Sequence, residues 1–414
     1  MARPKLLVVS PRFLFPLDEG GKIRTSNILR HMKGGNFELL LASPAPPDVK
    51  RFDGEIASIC DVFLSWEQNK VSQVRRISAL ASELPISVAG DRSPSGRGVI
   101  SRALECGTDL LLADFPHAAV LLPQRLCCPS VIFTHNVEAE ILERHAAVAN
   151  GLWRRIWISQ ARKMRRFESV ALRRFDCAIA VSARDAQLLR EEYQLSVVQT
   201  IDTGIDLHFY SFSSPRSTPD PPATGGTIVF VGAMNSPANI DAVQFLLDQV
   251  WPRVLATRPQ ARLVIVGRNP PASLVARARQ LSASCELTGY VEDTRPYIRQ
   301  SHIAVIPMRV GSGTRIKAFE AMALGRPVVS TTVGVEGLDI EAGAHYLAAD
   351  RADDFADAML RLLGDAGLRE RLAAAARARL EERFSWRQVA RRFEEICLEA
   401  QRAGVRARTT EAVH

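Results

Sequence analysis

With 414 residues, 47% of them apolar and 24% charged, the chain has the make-up of a soluble globular protein and the length for two domains. No apolar run nears the ~20 residues that a membrane-spanning helix needs, and the opening LLVVS is too short for a signal segment. The net charge of +8 suits anionic ligands or an anionic membrane surface; with no recognition motif beside it, no nucleic-acid partner is expected.

Strand and helix patterns alternate from the start. Lys5–Ser10 reads as a strand, and Asp18-Glu19-Gly20-Gly21 as the loop before a helix over about 22–33. Gly20 and Gly21 sit directly before that helix, where bare amides can approach a phosphate or a hydroxyl. The absence of G-x-G-x-x-G counts against a dinucleotide-binding oxidoreductase. Further strands are expected over 37–42, 61–66, 109–115, 130–136, 176–182 and 197–202. His135 stands at the exit of one of them, the place where ligands of parallel sheets gather. Seven scattered cysteines without C-x-x-C predict reduced thiols, no metal site and a cytoplasmic setting.

Residues 152–174 carry eight arginines and lysines, with Trp153 and Trp157 at one end. An amphipathic basic helix of this kind can lie on the inner face of an anionic membrane; the alternative is a solvated face whose tryptophans pack inward. Residues 211–226, rich in Ser, Pro and Thr, have linker composition. A second alternating series follows, with strands expected over 227–232, 261–267, 285–290, 303–308 and 327–331. Helices are expected over 238–257, 271–281, 294–300, 353–364, 368–383 and 385–403, and a disordered tail from 404 to 414.

The densest stretch is 311–332, GSGTRIKAFEAMALGRPVVSTT. It reads as a glycine loop, a helix over about 315–324 stopped by Gly325, and a buried strand. Ile316, Phe319 and Ala323 are expected on the core face, with Lys317 and Glu320 together on another. A helix N-terminus with a lysine makes an anion site, and a carboxylate beside it suits sugar hydroxyls; the bland alternative is a surface ion pair.

This stretch resembles the donor-site signature of the family 4 retaining glycosyltransferases, whose Glu-x7-Glu motif ends in Glu-Ala-Met-Ala-x-Gly-x-Pro-Val-Val, matched here from Glu320 to Val329. The resemblance runs from the Gly-Gly loop through His135 and Gly232 to Glu320. It implies an α/β fold of GT-B architecture: two Rossmann-like doubly wound domains facing across a cleft. The acceptor-side domain would be 1–205, completed by the helix 385–403. A linker would occupy 206–226, and the nucleotide-sugar domain 227–384. It also implies retaining transfer of a sugar, of the hexosyl type, from a nucleotide-sugar to a saccharide or lipid-linked acceptor in cell-envelope polysaccharide or glycoconjugate synthesis. No cofactor is implied, since the nucleotide-sugar is a substrate, and no metal if lysine, arginine and helix amides neutralise the diphosphate.

Residue by residue, the resemblance places Glu320 on the ribose hydroxyls, Val291 in the loop that holds the base, and Gly20, Gly21 and Gly232 near the phosphates. His135 falls against the donor sugar. Ser312, Gly313 and Thr314 complete the donor loop, with Ser312 where the first Glu of the motif would be. The usual Gly-Arg…Lys phosphate pair is missing after Gly232, so either catalysis is lost or Arg315 and Lys317 supply the compensating charge. Two other readings are a nucleotide-sugar isomerase and a non-catalytic scaffold that retains the donor site.

Overall fold

The structure, a computed structural model, describes residues 3–67, 82–234, 236–281, 283–310 and 316–411. The chain forms two compact units, Met1–Asp202 with Trp386–His414, and Thr203–Ser385.

The first unit is built on seven parallel strands: β1 (Lys5–Val9), β2 (Glu38–Ala45), β3 (Val62–Glu67), β4 (Leu110–Asp114), β5 (Ser130–Phe133), β6 (Cys177–Ala180) and β7 (Val198–Thr200). Their order is β3-β2-β1-β4-β5-β6-β7, so the chain reverses direction across the sheet between β1 and β4. Leu6, Leu7, Val8 and Val9 on β1, and Leu110, Leu111 and Leu112 on β4, are all buried, because both sheet faces are covered. The helix Trp386–Glu411 covers one face, where Phe393 meets Phe133 edge-on at 5.1 Å. Truncating Phe393 to alanine should cost about 3–5 kcal/mol. This helix runs on to Glu411, past the start of the tail that composition predicted to be disordered. Gly404 lies so close to Pro129 that a Cβ there would come within 2.5 Å of the ring, so packing extends beyond the expected end.

The second unit has six strands: β8 (Gly225–Val231), β9 (Gln260–Val266), β10 (Cys285–Gly289), β11 (Ile303–Ile306), β12 (Val328–Ser330) and β13 (Leu347–Ala348). They run in the order β10-β9-β8-β11-β12-β13, with the reversal between β8 and β11. The stretch expected to be a linker is packed onto this unit instead. Fully buried Arg326 donates to the carbonyls of Ser213 (2.8 Å) and Ser214 (3.2 Å) and to Thr218 Oγ1 (2.9 Å). Arg369, also buried, holds Asp220 and the carbonyl of Leu362. A buried guanidinium needs such partners, and the Ser/Pro/Thr strap supplies them. The boundary accordingly falls at Asp202/Thr203, a few residues before the expected one.

Candidate active site

In each unit the polar groups gather at the carboxyl ends of the strands beside the reversal point, the crevice where open α/β sheets hold ligands. In the first unit, Ser10 follows β1, Asp114 ends β4 and His135 follows β5. The helix Gly20–Met32 adds Arg24 and Thr25.

Asp114 is the hub. Its Oδ1 accepts from Thr25 Oγ1 at 2.8 Å and lies 2.7 Å from His135 Nε2, and its Oδ2 accepts from Ser10 Oγ at 3.0 Å. Arg24 Nη1 lies 3.2 Å from His135 Nδ1. A guanidinium only donates, so Nδ1 accepts and the single ring proton sits on Nε2, facing the carboxylate. That is a neutral imidazole, and burial does lower the His135 pKa despite the pull of Asp114. Burial likewise lowers Arg24 to about 10.

His135 is 2% exposed, stacked under Phe115 at 4.0 Å and tilted against Phe133 at 4.2 Å. Phe115 has φ 69°, a left-handed conformation that a bulky residue holds only under tight surrounding constraint. Its ring explains Gly21, where a Cβ would come within 2.3 Å of it. Gly20 has open space around its own Cβ position, at the helix N-terminus. The sequence singled out His135 and the glycines but not Asp114, Arg24 or Thr25. The signal for Asp114 was available, as a carboxylate closing the buried run LLLAD.

In the second unit, Gly232 follows β8, and the helix Ile316–Ala323 begins beyond β11. Lys317 is brought directly against Gly232: a Cβ on that glycine would lie 2.7 Å from Lys317 Nζ. The ammonium donates to Asn239 Oδ1 at 2.5 Å and sits 5.0 Å from the Phe230 ring centroid. Asn239 is in turn fixed by its Nδ2, which donates to the Ala233 carbonyl at 2.8 Å.

One turn along the helix, Glu320 Oε1 accepts from Tyr210 OH at 2.8 Å. Burial raises the Glu320 pKa, opposed by the Tyr210 hydrogen bond and the Lys317 charge. Tyr210 is itself tethered by Arg377, which donates to its carbonyl (3.0 Å) and to the Ala323 carbonyl at the end of the helix (2.9 Å). Sequence reasoning missed Tyr210, Asn239 and Arg377, which lie far from the motif in the chain.

Phe319 and Ala323 are buried as expected, but Ile316 is 39% exposed, because the apolar face of the helix starts only at Ala318. Val291 is half-buried against the unit's core, after Gly289 at φ 74°. Ser312, Gly313, Thr314 and Arg315 lie outside the described residues. Among the described residues, no group of three or more His, Cys, Asp or Glu side chains could hold a metal ion.

The two parallel-sheet α/β units have the fold of the GT-B glycosyltransferases. Residues 20–209 match the model of Glycosyltransferase Family 4, and residues 225–365 that of Glycosyl transferases group 1. The chain belongs to the family 4 glycosyltransferases. It is 27% identical over 299 residues to glycogen synthase of Mycobacterium tuberculosis, a match covering 69% of this chain and 67% of that one. To the phosphatidyl-myo-inositol mannosyltransferase of the same organism it is 30% identical over 198 residues, 46% of this chain and about half (51%) of that one. Among solved structures, Anabaena HepE in complex with UDP superposes with a TM-score of 0.63 at 15% identity, over 95% of this chain and 99% of that one.

Proposed function

We propose that this chain is a retaining glycosyltransferase that moves a hexosyl group from a nucleotide-sugar to a saccharide or lipid-linked acceptor of the cell envelope, without a metal ion. The observation that carries this reading is the position of Lys317. The phosphate-side loop after β8 lacks the arginine and lysine of related enzymes, and an ammonium from the signature helix stands against Gly232 in their place. A departing nucleoside diphosphate gains charge as the glycosidic bond breaks, and a fixed cation at that point lowers the barrier by stabilising it.

Glu320, a carboxylate held by one phenol, keeps acceptor capacity for the two ribose hydroxyls. Val291 and its neighbours hold the base. The amides of Gly20 and Gly21 serve as donors, and Ser312, Gly313, Thr314 and Arg315 complete the donor loop. The complex of HepE with UDP supports a nucleoside diphosphate as the common element, and the phosphatidyl-myo-inositol mannosyltransferase supports a lipid-linked acceptor.

The burial of His135 refines its role. Both ring nitrogens are engaged, so it acts by holding Arg24 and Asp114 in register at the start of the first helix rather than by reaching a ligand. Peripheral contact with the cytoplasmic face of a membrane fits the helix Gly151–Leu172, where Leu152 and Trp153 are 71% and 66% exposed. No helix of the described residues is long and apolar enough to cross a membrane.

A thermal-shift screen of UDP-, GDP- and ADP-sugars in excess EDTA tests the reading. A ligand at 100 times its Kd stabilises the folded state by about 2.7 kcal/mol, and the stabilising donor should be slowly hydrolysed without acceptor. Stabilisation that needs a divalent ion would overturn metal independence. No response to any nucleotide-sugar would overturn the transferase reading.

A further inference from the structure

The helix Glu138–Val148 starts directly after the stretch from Thr134 to Val137 that carries His135. A helix start leaves backbone amides without partners, and a polar side chain at the N-cap usually satisfies them. Val137 stands at that position and caps nothing. The cap comes from further along the chain, from Glu168 on the helix Gly151–Leu172. Its Oε1 accepts from the Glu138 amide at 2.8 Å, and its Oε2 accepts from the Ala139 amide at 3.2 Å and from the Tyr193 hydroxyl at 2.7 Å.

Glu168 is 1% exposed, and all three of these donors are neutral. Taking a carboxylate out of water without a cation is costly, whereas a serine at position 137 would cap the helix locally. Burial accordingly pushes the Glu168 carboxyl up to about 7, with the phenol and the two amides opposing. The titratable groups that face it are Tyr193 and Glu138, and Arg165 acts on the phenol. Arg165 is itself engaged by Glu143 at 2.8 Å and by Glu192. The stretch around His135 is thus fixed at both ends. Thr134 donates to the Ile179 carbonyl from its amide and from Oγ1, each at 2.9 Å, and Val137 is buried beside the helix start that Glu168 holds.

We propose that Glu168 is a positioning residue for the transfer reaction: by holding the first two amides of the helix Glu138–Val148, it sets the loop that presents His135 to Asp114 and Arg24. The inference rests on the transferase reading above. Ionised, the carboxylate accepts from all three donors. Protonated, one oxygen carries a hydrogen of its own, so the cap loses acceptor capacity and the helix start loosens. His135 is a neutral imidazole, so a change in its surroundings near pH 7 reports a neighbour. A cap that served the helix alone would leave the imidazole and turnover untouched.

The test follows the His135 ring by NMR in the full chain made with nitrogen-labelled histidine, its signals identified by their loss in His135→Ala. They should shift with a midpoint near pH 7 in the parent, with a higher midpoint in Tyr193→Phe, whose ionised carboxylate has lost a donor, and not at all in Glu168→Gln. Steady-state hydrolysis of UDP-glucose, GDP-mannose and ADP-glucose is measured in parallel. With the donor that the parent turns over, kcat should fall as pH drops through 7. Glu168→Gln should lower kcat ten-fold or more above pH 8 with KM within two-fold, while Tyr193→Phe should match the parent there. Circular dichroism confirms that each variant is folded. Parent signals that do not move near pH 7 would overturn the proposal without need of any variant, as would the same shift persisting in Glu168→Gln. Parental kcat in Glu168→Gln, or an equal loss of kcat in both variants, would overturn it too, the latter being the mark of a purely structural cap. If the His135 signals behave as expected while the parent turns over no nucleotide-sugar, the transferase reading has failed and the placement of His135 by Glu168 stands.

Discussion

Replacing Lys317 by methionine removes one positive charge while keeping most of the side-chain stem. Its ammonium is confined by Asn239 at 2.5 Å and the Phe230 ring at 5.0 Å, so it is half-buried and ordered before any ligand arrives. Unit charges 4 Å apart attract by about 4 kcal/mol at an effective dielectric of ~20. Desolvation takes back part of that, and hydrogen bonds to charged groups net about 1.5–3 kcal/mol, equivalent to roughly 10- to 150-fold in affinity. Isothermal titration of UDP and GDP against uridine and guanosine isolates the diphosphate contribution. Lys317→Met should weaken the diphosphates by that factor and leave the nucleosides unchanged. Turnover should fall further than affinity, to below detection, because the charge on the leaving diphosphate grows in the transition state. Parental affinity for the diphosphate, or an equal loss for nucleoside and diphosphate, would refute the assignment of Lys317 to the phosphates.

Glu320→Ala should weaken nucleoside diphosphates ten-fold or more, about 1.5–3 kcal/mol, by titration calorimetry; Tyr210→Phe should give a smaller loss, since Glu320 keeps its carboxylate but loses its anchor. His135→Ala should lower kcat more than nucleotide affinity, and Arg24→Lys, which keeps the charge but changes the donor geometry, should show the same split in steady-state kinetics; unchanged turnover in both variants would make the cluster purely structural. Neutralising Arg154, Arg155, Arg162 and Arg166, all exposed on one basic helix, should abolish salt-sensitive cosedimentation with anionic liposomes. Arg165 is a poorer target for this purpose because Glu143 (2.8 Å) and Glu192 already engage it. Asp91 keeps its proton up to about pH 7 in the folded chain but loses it near 4 when unfolded. Between those values the folded state binds more protons, so this group's contribution to stability falls as pH rises. Asp91→Asn should therefore raise Tm relative to the parent at pH 8 and much less at pH 5.

The sheet of each unit was legible because parallel strands covered on both faces are near-continuous apolar runs, as in KLLVV and TIVFV. The signature helix was equally plain, and its stop at Gly325 is met at φ 80°, where a Cβ would run within 2.2 Å of the Ser213 carbonyl. The strap of residues 211–220 was not legible, because its order is imposed by Arg326 and Arg369, over a hundred residues later. In the same way, nothing near Glu320 announces Tyr210, and nothing near His135 announces Arg24. Lys317 could be chosen by elimination from the motif, but Asn239, which aims it, becomes visible only once β8 and the signature helix are brought side by side. Short-range patterns determine elements; partners across long loops determine which way a charge points.

The helix Trp386–Glu411, which covers the first unit, has a consequence for how the chain is made. About two hundred residues separate Asp202 from the end of that helix. At ~5–20 residues per second, the ribosome needs on the order of ten to forty seconds to deliver it after the first seven strands have emerged. Throughout that interval the face of β5 that Phe393 later meets is open to water, with Phe133 uncovered. The nascent first unit is thus a half-closed sheet waiting for its lid while the whole second unit is synthesised. Holdase binding during translation, and aggregation of any product truncated before Trp386, follow from the order in which the chain leaves the ribosome.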